Sequence, residues 1–208
     1  MKKYIFILVL PCVAILTYAQ SDISNLIAHR AQQKVKQMTD YVAYMADKEK
    51  PIEDRKEYRI AALNLFIGHG EPYILNGASR EGVYMQITSK YRKKPTQRLM
   101  KDYFTGLINM RYSKVVIESS DIADIKVSEL KKIADHEYEC TCSYIQSFYG
   151  KSDGNLINKA EKIQITCRII ENQDIKVSLV NDEKITPEKY IILLGDVRAE
   201  DYTNKIRN

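Results

Sequence analysis

The stretch His136-Glu137-Tyr138-Glu139-Cys140-Thr141-Cys142-Ser143-Tyr144-Ile145-Gln146-Ser147-Phe148-Tyr149 decides the fold. Tyr138, Cys140, Cys142, Tyr144 and Phe148 fall on one phase of a two-residue period, and Glu139, Thr141, Ser143 and Ser147 fall on the other. Successive side chains of a strand point to opposite faces, so this pattern predicts a long strand with one face buried. A second alternating segment follows, with Ile163, Ile165, Cys167 and Ile169 set against Gln164, Thr166 and Arg168. Residues 150–158 between them are polar and read as a turn. Paired as an antiparallel hairpin, the two segments share an apolar face, and Cys142 comes near Cys167 on it.

Working outward, Ile175, Val177 and Leu179 predict a further short strand, and residues 190–197 a last apolar one. The end, 198–208, is polar and is expected to fray, so the folded domain is read as 20–198 with a tail over 199–208. Upstream, residues 113–125 are strand-like, led by Val115, Val116 and Ile117. Before them the period changes to that of helices. Ile23, Ile27, Ala31, Val35, Met38, Val42 and Met45 recur every three or four residues and predict a helix over 22–47, stopped before Pro51. The stripe has the width of a core-facing face, although it could also serve a partner protein. A second helix is expected over 52–67, ended by Gly68-His69-Gly70. Asn76-Gly77 is a strong hairpin signal between Tyr73-Ile74-Leu75 and the strand-like residues 82–88. A third helix is expected over 96–109, burying Leu99, Met100, Tyr103, Phe104, Leu107 and Ile108. The fold class is therefore α+β: two or three N-terminal helices packed on a mostly antiparallel sheet.

The order helix, helix, short hairpin, helix, then a meander of long antiparallel strands resembles the nuclear-transport-factor-2-like, or cystatin-like, superfamily over residues 22–198. That resemblance implies a strongly curved sheet wrapped around a long helix as a cone with a pocket. The chain departs from the pattern in having no tryptophan. The stretch 174–197 also holds material for one strand more than the superfamily usually has. With its leader and its ending Tyr190-Ile191-Ile192-Leu193-Leu194-Gly195-Asp196-Val197-Arg198, the chain also looks like the exported proteins of gut Bacteroidetes.

The N-terminus carries the clearest targeting signal. Lys2 and Lys3 form a basic start, residues 4–16 an apolar run, and Thr17-Tyr18-Ala19 a small-residue cleavage site. Residues 1–19 are thus expected to be a cleavable signal peptide, and the domain to be periplasmic, cell-surface or secreted. The run is shorter than the ~20 residues a spanning helix needs. Cys12 follows Pro11 and precedes Val13-Ala14-Ile15-Leu16, which disfavours a lipid-bearing cysteine. The net charge of +5 falls by the two charges of Lys2 and Lys3 on cleavage, too small an excess to point to nucleic acid. Cys140, Cys142 and Cys167 then remain. They read as small buried hydrophobes or, for Cys142 and Cys167, as a disulfide that export permits. Cys-x-Cys is shorter than the spacing of structural zinc sites, His29, His69 and His136 are scattered, and no metal or cofactor is expected.

Enzymes of the resembled superfamily, isomerases and dehydratases, place Asp, His or Tyr inside the cone. Here His136, Tyr138 and Tyr144 are the pocket-lining candidates, and Asp102 and Asp124 the conceivable bases. Against this, strand tyrosines commonly pack with the hydroxyl at a rim, and the chain has 15 of them. His136, next to Asp135 at a strand start, suits an exposed turn. No serine lies in a Gly-x-Ser-x-Gly elbow. Lys90, Arg92, Lys93, Lys94, Arg98 and Lys101 cluster around Tyr91 and form a candidate anion patch for a glycan, a lipid head group or an acidic partner; a solvated loop is the plainer alternative. The sequence leads to an exported, non-catalytic ligand-binding or envelope-assembly domain, taking a small ligand, a glycan or another envelope protein. The alternatives are a small isomerase-like or hydrolase-like enzyme in the same pocket, and a structural subunit that forms a homodimer through the sheet.

Overall fold

A computed structural model of the chain describes residues 10–88, 94–112, 114–118, 121–152, 155–172 and 189–202, with side chains from residue 23 onward except at 152 and 155. Helix α1 spans Leu10–Ala46 and α2 spans Ile52–Leu63. A small hairpin follows, β1 (Tyr73–Leu75) and β2 (Ala78–Arg80), then β3 (Tyr84–Thr88), β4 (Thr96–Leu99) and helix α3 (Met100–Ile108). The remaining strands are β5 (Lys114–Ile117), β6 (Lys126–Val127), β7 (Lys131–Ala134), β8 (Glu137–Ser152), β9 (Asn155–Glu171) and β10 (Tyr190–Asp201). The large sheet runs β4-β3-β10-β9-β8-β5, with β6 and β7 also paired to β8, and is antiparallel except for the β3–β10 pair. The chain is an α+β protein; among the described residues, three helices pack on an eight-stranded, mostly antiparallel sheet. Among the described residues, no helix is long and apolar enough to cross a membrane.

The expected hairpin is the spine of the sheet. β8 and β9 pair over their full lengths, with Tyr138 opposite Ile169, Cys140 opposite Cys167 and Tyr144 opposite Ile163. Their shared inner face is sealed by α1, whose buried residues Ile27, Ala31, Val35, Met38, Val42 and Met45 follow the expected spacing. Each of these side chains larger than alanine stabilises the fold by about 1.5–3 kcal/mol when removed from water. The stripe starts one turn later than expected, because Ile23 is 41% exposed. The helix is described from Leu10 onward, ahead of the expected start at residue 22.

Several boundaries differ from the sequence reading, each for a tertiary reason. The second helix ends at Leu63, short of the glycines, because the chain turns to meet the sheet: the Leu194 N–H donates to the Leu65 carbonyl at 2.9 Å, and Phe66 forms a parallel bridge with Leu194. Gly68 and Gly70, with φ of 72° and 89°, lie in the short 3-10 turn that follows. Asn76 and Gly77 do make a two-residue turn with positive φ at both positions, but it joins β1 to β2, and β3 leaves for the main sheet. Thr96–Leu99, expected as the first turn of a helix, is instead strand β4, where its backbone pairs with the otherwise open edge of β3. The strand expected over 113–125 stops at Ile117, and residues 122–124 form a 3-10 turn. β10 continues past Val197 to Asp201, held by β9 on one side and β3 on the other. The strand expected over 175–179 lies outside the described residues.

Two polar devices fix the frame. Arg55, buried in α2, donates from Nε to the Met45 carbonyl at 2.7 Å and from Nη2 to the Ile108 carbonyl at 2.6 Å. It thereby ties the last turns of α1 and α3 together, supplying cation and donor where helix carbonyls lack partners. In β10, the register shifts between Leu194 and Val197, so the buried phase passes from Tyr190, Ile192 and Leu194 to Val197 and Ala199. The Asp196 carboxylate at this bulge accepts from Arg80 at 2.7 Å and from the Tyr84 N–H at 2.9 Å, which anchors the start of β3.

Candidate functional site

The inner face of β8–β9 changes character along its length. From Tyr138 to Tyr144, and from Ile163 to Ile169, it is core. One step closer to the hairpin tip the inward pairs become Gln146 opposite Glu161 and Phe148 opposite Lys159. Here a cavity of about 250 Å³ opens between α3 and the sheet, lined by Tyr103, Leu107, Met110, Gln146, Lys159 and Glu161 among others. Arg98, on β4, and Ile87, on β3, form the far wall, with Phe148 and Ile117 closing the apolar side. Gly106 of α3 opens the space: a Cβ there would meet the Arg98 guanidinium at 3.7 Å. A volume below the roughly 300–1,000 Å³ of drug-sized sites implies a small occupant.

The electrostatics single out Glu161. Burial pushes its carboxyl above the usual carboxylate range, Lys159 opposes the rise, and Asp201, opposite it across β9–β10, adds to it. Burial also raises the Tyr103 phenol well above its usual range, and the neighbouring Glu161 charge raises it further. Gln146 is buried, and with Thr39 and Arg55 it makes up the buried polar residues among those described. Thr39 is satisfied within its helix by the Lys36 carbonyl, and Arg55 by two carbonyls. The cavity thus offers amide and phenol donors, two cations, and a carboxyl whose pKa burial raises, against apolar walls. Among the described residues no buried side-chain nitrogen or oxygen lacks a hydrogen-bond partner, so the polar groups of the cavity act from its accessible surface. Two larger grooves, of about 540 and 550 Å³, run beside α1, one bordered by β5 and the loop after the helix, the other by β10.

The candidate residues read from sequence separate in space. Tyr144 is buried in the core and is not among the residues that line the cavity; burial raises its phenol strongly, with Tyr103 and Glu161 contributing. Arg98 lines the cavity. Lys94 is exposed just before β4, while Lys90, Arg92 and Lys93 lie outside the described residues. His136 and Tyr138 sit at the opposite end of β8. His136, with φ of 60° in the turn from β7, pairs through Nδ1 with Glu171 at 3.0 Å and has a side chain 52% exposed. Tyr138 is partly buried against the core. Asp102 and Asp124 are exposed. Cys140, Cys142 and Cys167 are free thiols on the inner face, with the Cys142 and Cys167 sulfurs 3.6 Å apart.

Gln146, Lys159, Glu161 and Tyr103 were not singled out from sequence, yet a signal for the first three exists. Gln146 occupies the inward phase of 138–148, and Glu161 and Lys159 continue the inward phase of 163–169 backward. Polar residues on the buried phase of a strand mark the place where core gives way to site. Compared with protein-family models, with curated proteins and with solved structures, the chain matches none.

Proposed function

We propose that the chain is an exported, non-catalytic binding domain for a small organic anion, held in the cavity beneath α3. The single observation carrying this reading is the inward row Gln146, Lys159 and Glu161, which interrupts an apolar strand face where a cavity opens. Lys159 and Arg98 would pair with the anionic group, Gln146 would donate to it, and Phe148, Met110 and Ile87 would cover an apolar body. The leader-like N-terminus supports export. The order of helices and sheet, with a cavity on the inner face, supports the nuclear-transport-factor-2-like reading. The test is a titration with benzoate and hexanoate followed by NMR, on the native chain and on Gly106→Leu. The larger side chain fills the cavity and removes a helix-interior glycine, so stability rises by up to about 1 kcal/mol while binding is lost. Absence of shifts at Gln146 and Lys159 with millimolar probe, or equal shifts in the filled variant, would sink the proposal.

One observation favours a second reading. Glu161, raised by burial and set beside the Tyr103 phenol, has the form of a general base next to an oxyanion donor, as proton transfer from carbon requires. On this reading Glu161→Gln still binds carboxylate probes but no longer exchanges a substrate α-proton with deuterated solvent.

A further inference from the structure

Cys140, Cys142 and Cys167 have no part in the cavity, yet the fold brings them together. Cys140 and Cys142 lie two residues apart on β8 and so share its inner face, and Cys167 stands opposite Cys140 on β9. The three sulfurs all lie within 4.8 Å of one another. Their residues are 3%, 0% and 0% exposed. We propose that these three thiols form a binding site for a single thiophilic d10 cation, monovalent copper in chemical class.

The geometry and the chemistry of the donors agree. With metal–sulfur bonds of about 2.3 Å, a three-coordinate ion holds its sulfurs about 4 Å apart, so side-chain rotation alone closes the site. Thiolate donors select soft ions over magnesium, calcium or manganese. Zinc favours a fourth ligand. Among the described residues no other histidine, cysteine or carboxylate joins the cluster, and its burial leaves no room for water in that position. A disulfide would use two sulfurs and strand the third in the same apolar face; the ion uses all three. Binding replaces S–H bonds by S–metal bonds and releases the protons to solvent, with no change in oxidation state. Because the site is sealed by α1, loading occurs as the chain folds or when the helix transiently lifts.

The experiment refolds the full chain under reducing conditions with monovalent copper supplied in a competing bathocuproine chelator. The expected result is one copper per chain withdrawn from the chelator, with a near-ultraviolet thiolate-to-copper band. Native mass spectrometry of the same sample shows copper gained and protons lost, a readout that needs no variant. Cys140→Ala, Cys142→Ala and Cys167→Ala each weaken retention by roughly a hundredfold or more, with circular dichroism confirming the fold. Glu161→Gln retains copper as the native chain does, which keeps this outcome separate from the cavity. Failure of the native chain to hold copper against the chelator overturns the proposal, as does retention by the triple alanine variant. Recovery of the chain from its producing cell with a closed bridge and one alkylatable thiol also overturns it.

Discussion

The two halves of the β8–β9 hairpin have the same pairing, the same register rule and the same inner face, and they do opposite things. The half from Tyr138 to Tyr144 meets Ile163–Ile169 and lies under α1; its side chains are core. Nearer the tip, Gln146 and Phe148 stand opposite Glu161 and Lys159, and these four side chains line a cavity that α3 also borders. The backbone does not distinguish them. What differs is the chemistry placed on the inward phase and the helix that covers it. A strand pair can therefore be divided into a folding half and a binding half by two or three polar residues, without any break in its hydrogen-bonded ladder.

The sharpest way to break this division is to disturb each half and compare. Leu194→Ala acts in the folding half, where Leu194 is fully buried opposite Cys167. It should cost about 2–5 kcal/mol in chemical denaturation, since the surrounding strands cannot collapse on the void. A loss below 1 kcal/mol would mean that this half is not the tightly packed one. Next in size is Arg55→Met. It leaves the Met45 and Ile108 carbonyls without their donor, although Lys48 still donates to Ile108 at 2.9 Å. The expected loss is about 2 kcal/mol. Because Ile108 ends the helix roofing the cavity, probe binding should weaken along with stability. Unchanged binding would show that α3 is positioned by its own packing and not by this tie.

How much of this division was legible in the sequence depends on which force set each feature. The β8 and β9 strands and the stripe of α1 were legible because alternation and the helical period act locally. The Asn76-Gly77 turn was legible in type, since both residues tolerate positive φ, but its partner strand was not. Thr96–Leu99 was misread because Leu99, Met100, Tyr103, Phe104 and Leu107 continue a helical pattern into it, and only the open edge of β3 makes it a strand. The break of α2 at Leu63 was invisible for the same reason, being caused by Leu194, far along the chain. The site was half legible. Arg98 was singled out as part of an anion patch and lines the cavity, and Tyr144 was singled out as pocket-lining and is core, whereas Glu161 and Lys159 sat in a segment read as a turn or its border. His136 drew attention through its chemistry alone, and chemistry without a cavity is weak guidance.

A smaller effect probes the binding half directly. A carboxyl whose folded pKa lies above its unfolded value binds its proton more tightly in the folded chain. Stability therefore falls as pH rises from about 4.5 through the raised value, because folding must then place the charged form in a desolvated site. Glu161→Gln removes this decline. The variant should show a flatter stability profile above pH 4.5 and be slightly more stable than the native chain at neutral pH, as measured by denaturation midpoints across pH. A variant less stable than the native chain at neutral pH would mean that the carboxylate is paired in the folded state, and that the cavity is an ion-pair network and not a place for an anion.

The smallest effect is expected at the far end of the same strand, and its smallness is the point. His136 lies at the turn into β8, more than half exposed, and its partner Glu171 is also held by Lys189 at 3.0 Å. Exposed pairs of this kind contribute at most about 1 kcal/mol, and here a second cation remains to hold the carboxylate. His136→Asn keeps a residue that tolerates the positive φ of 60° at this position. Its stability should stay within about 0.5 kcal/mol of the native chain, with benzoate and hexanoate shifts at Gln146 and Lys159 unaltered. A clear loss of probe binding would connect the two ends of β8 and undo the division between them. An unchanged response would leave the binding half where the inward polar row ends, at the hairpin tip, and would make the histidine a residue of the rim.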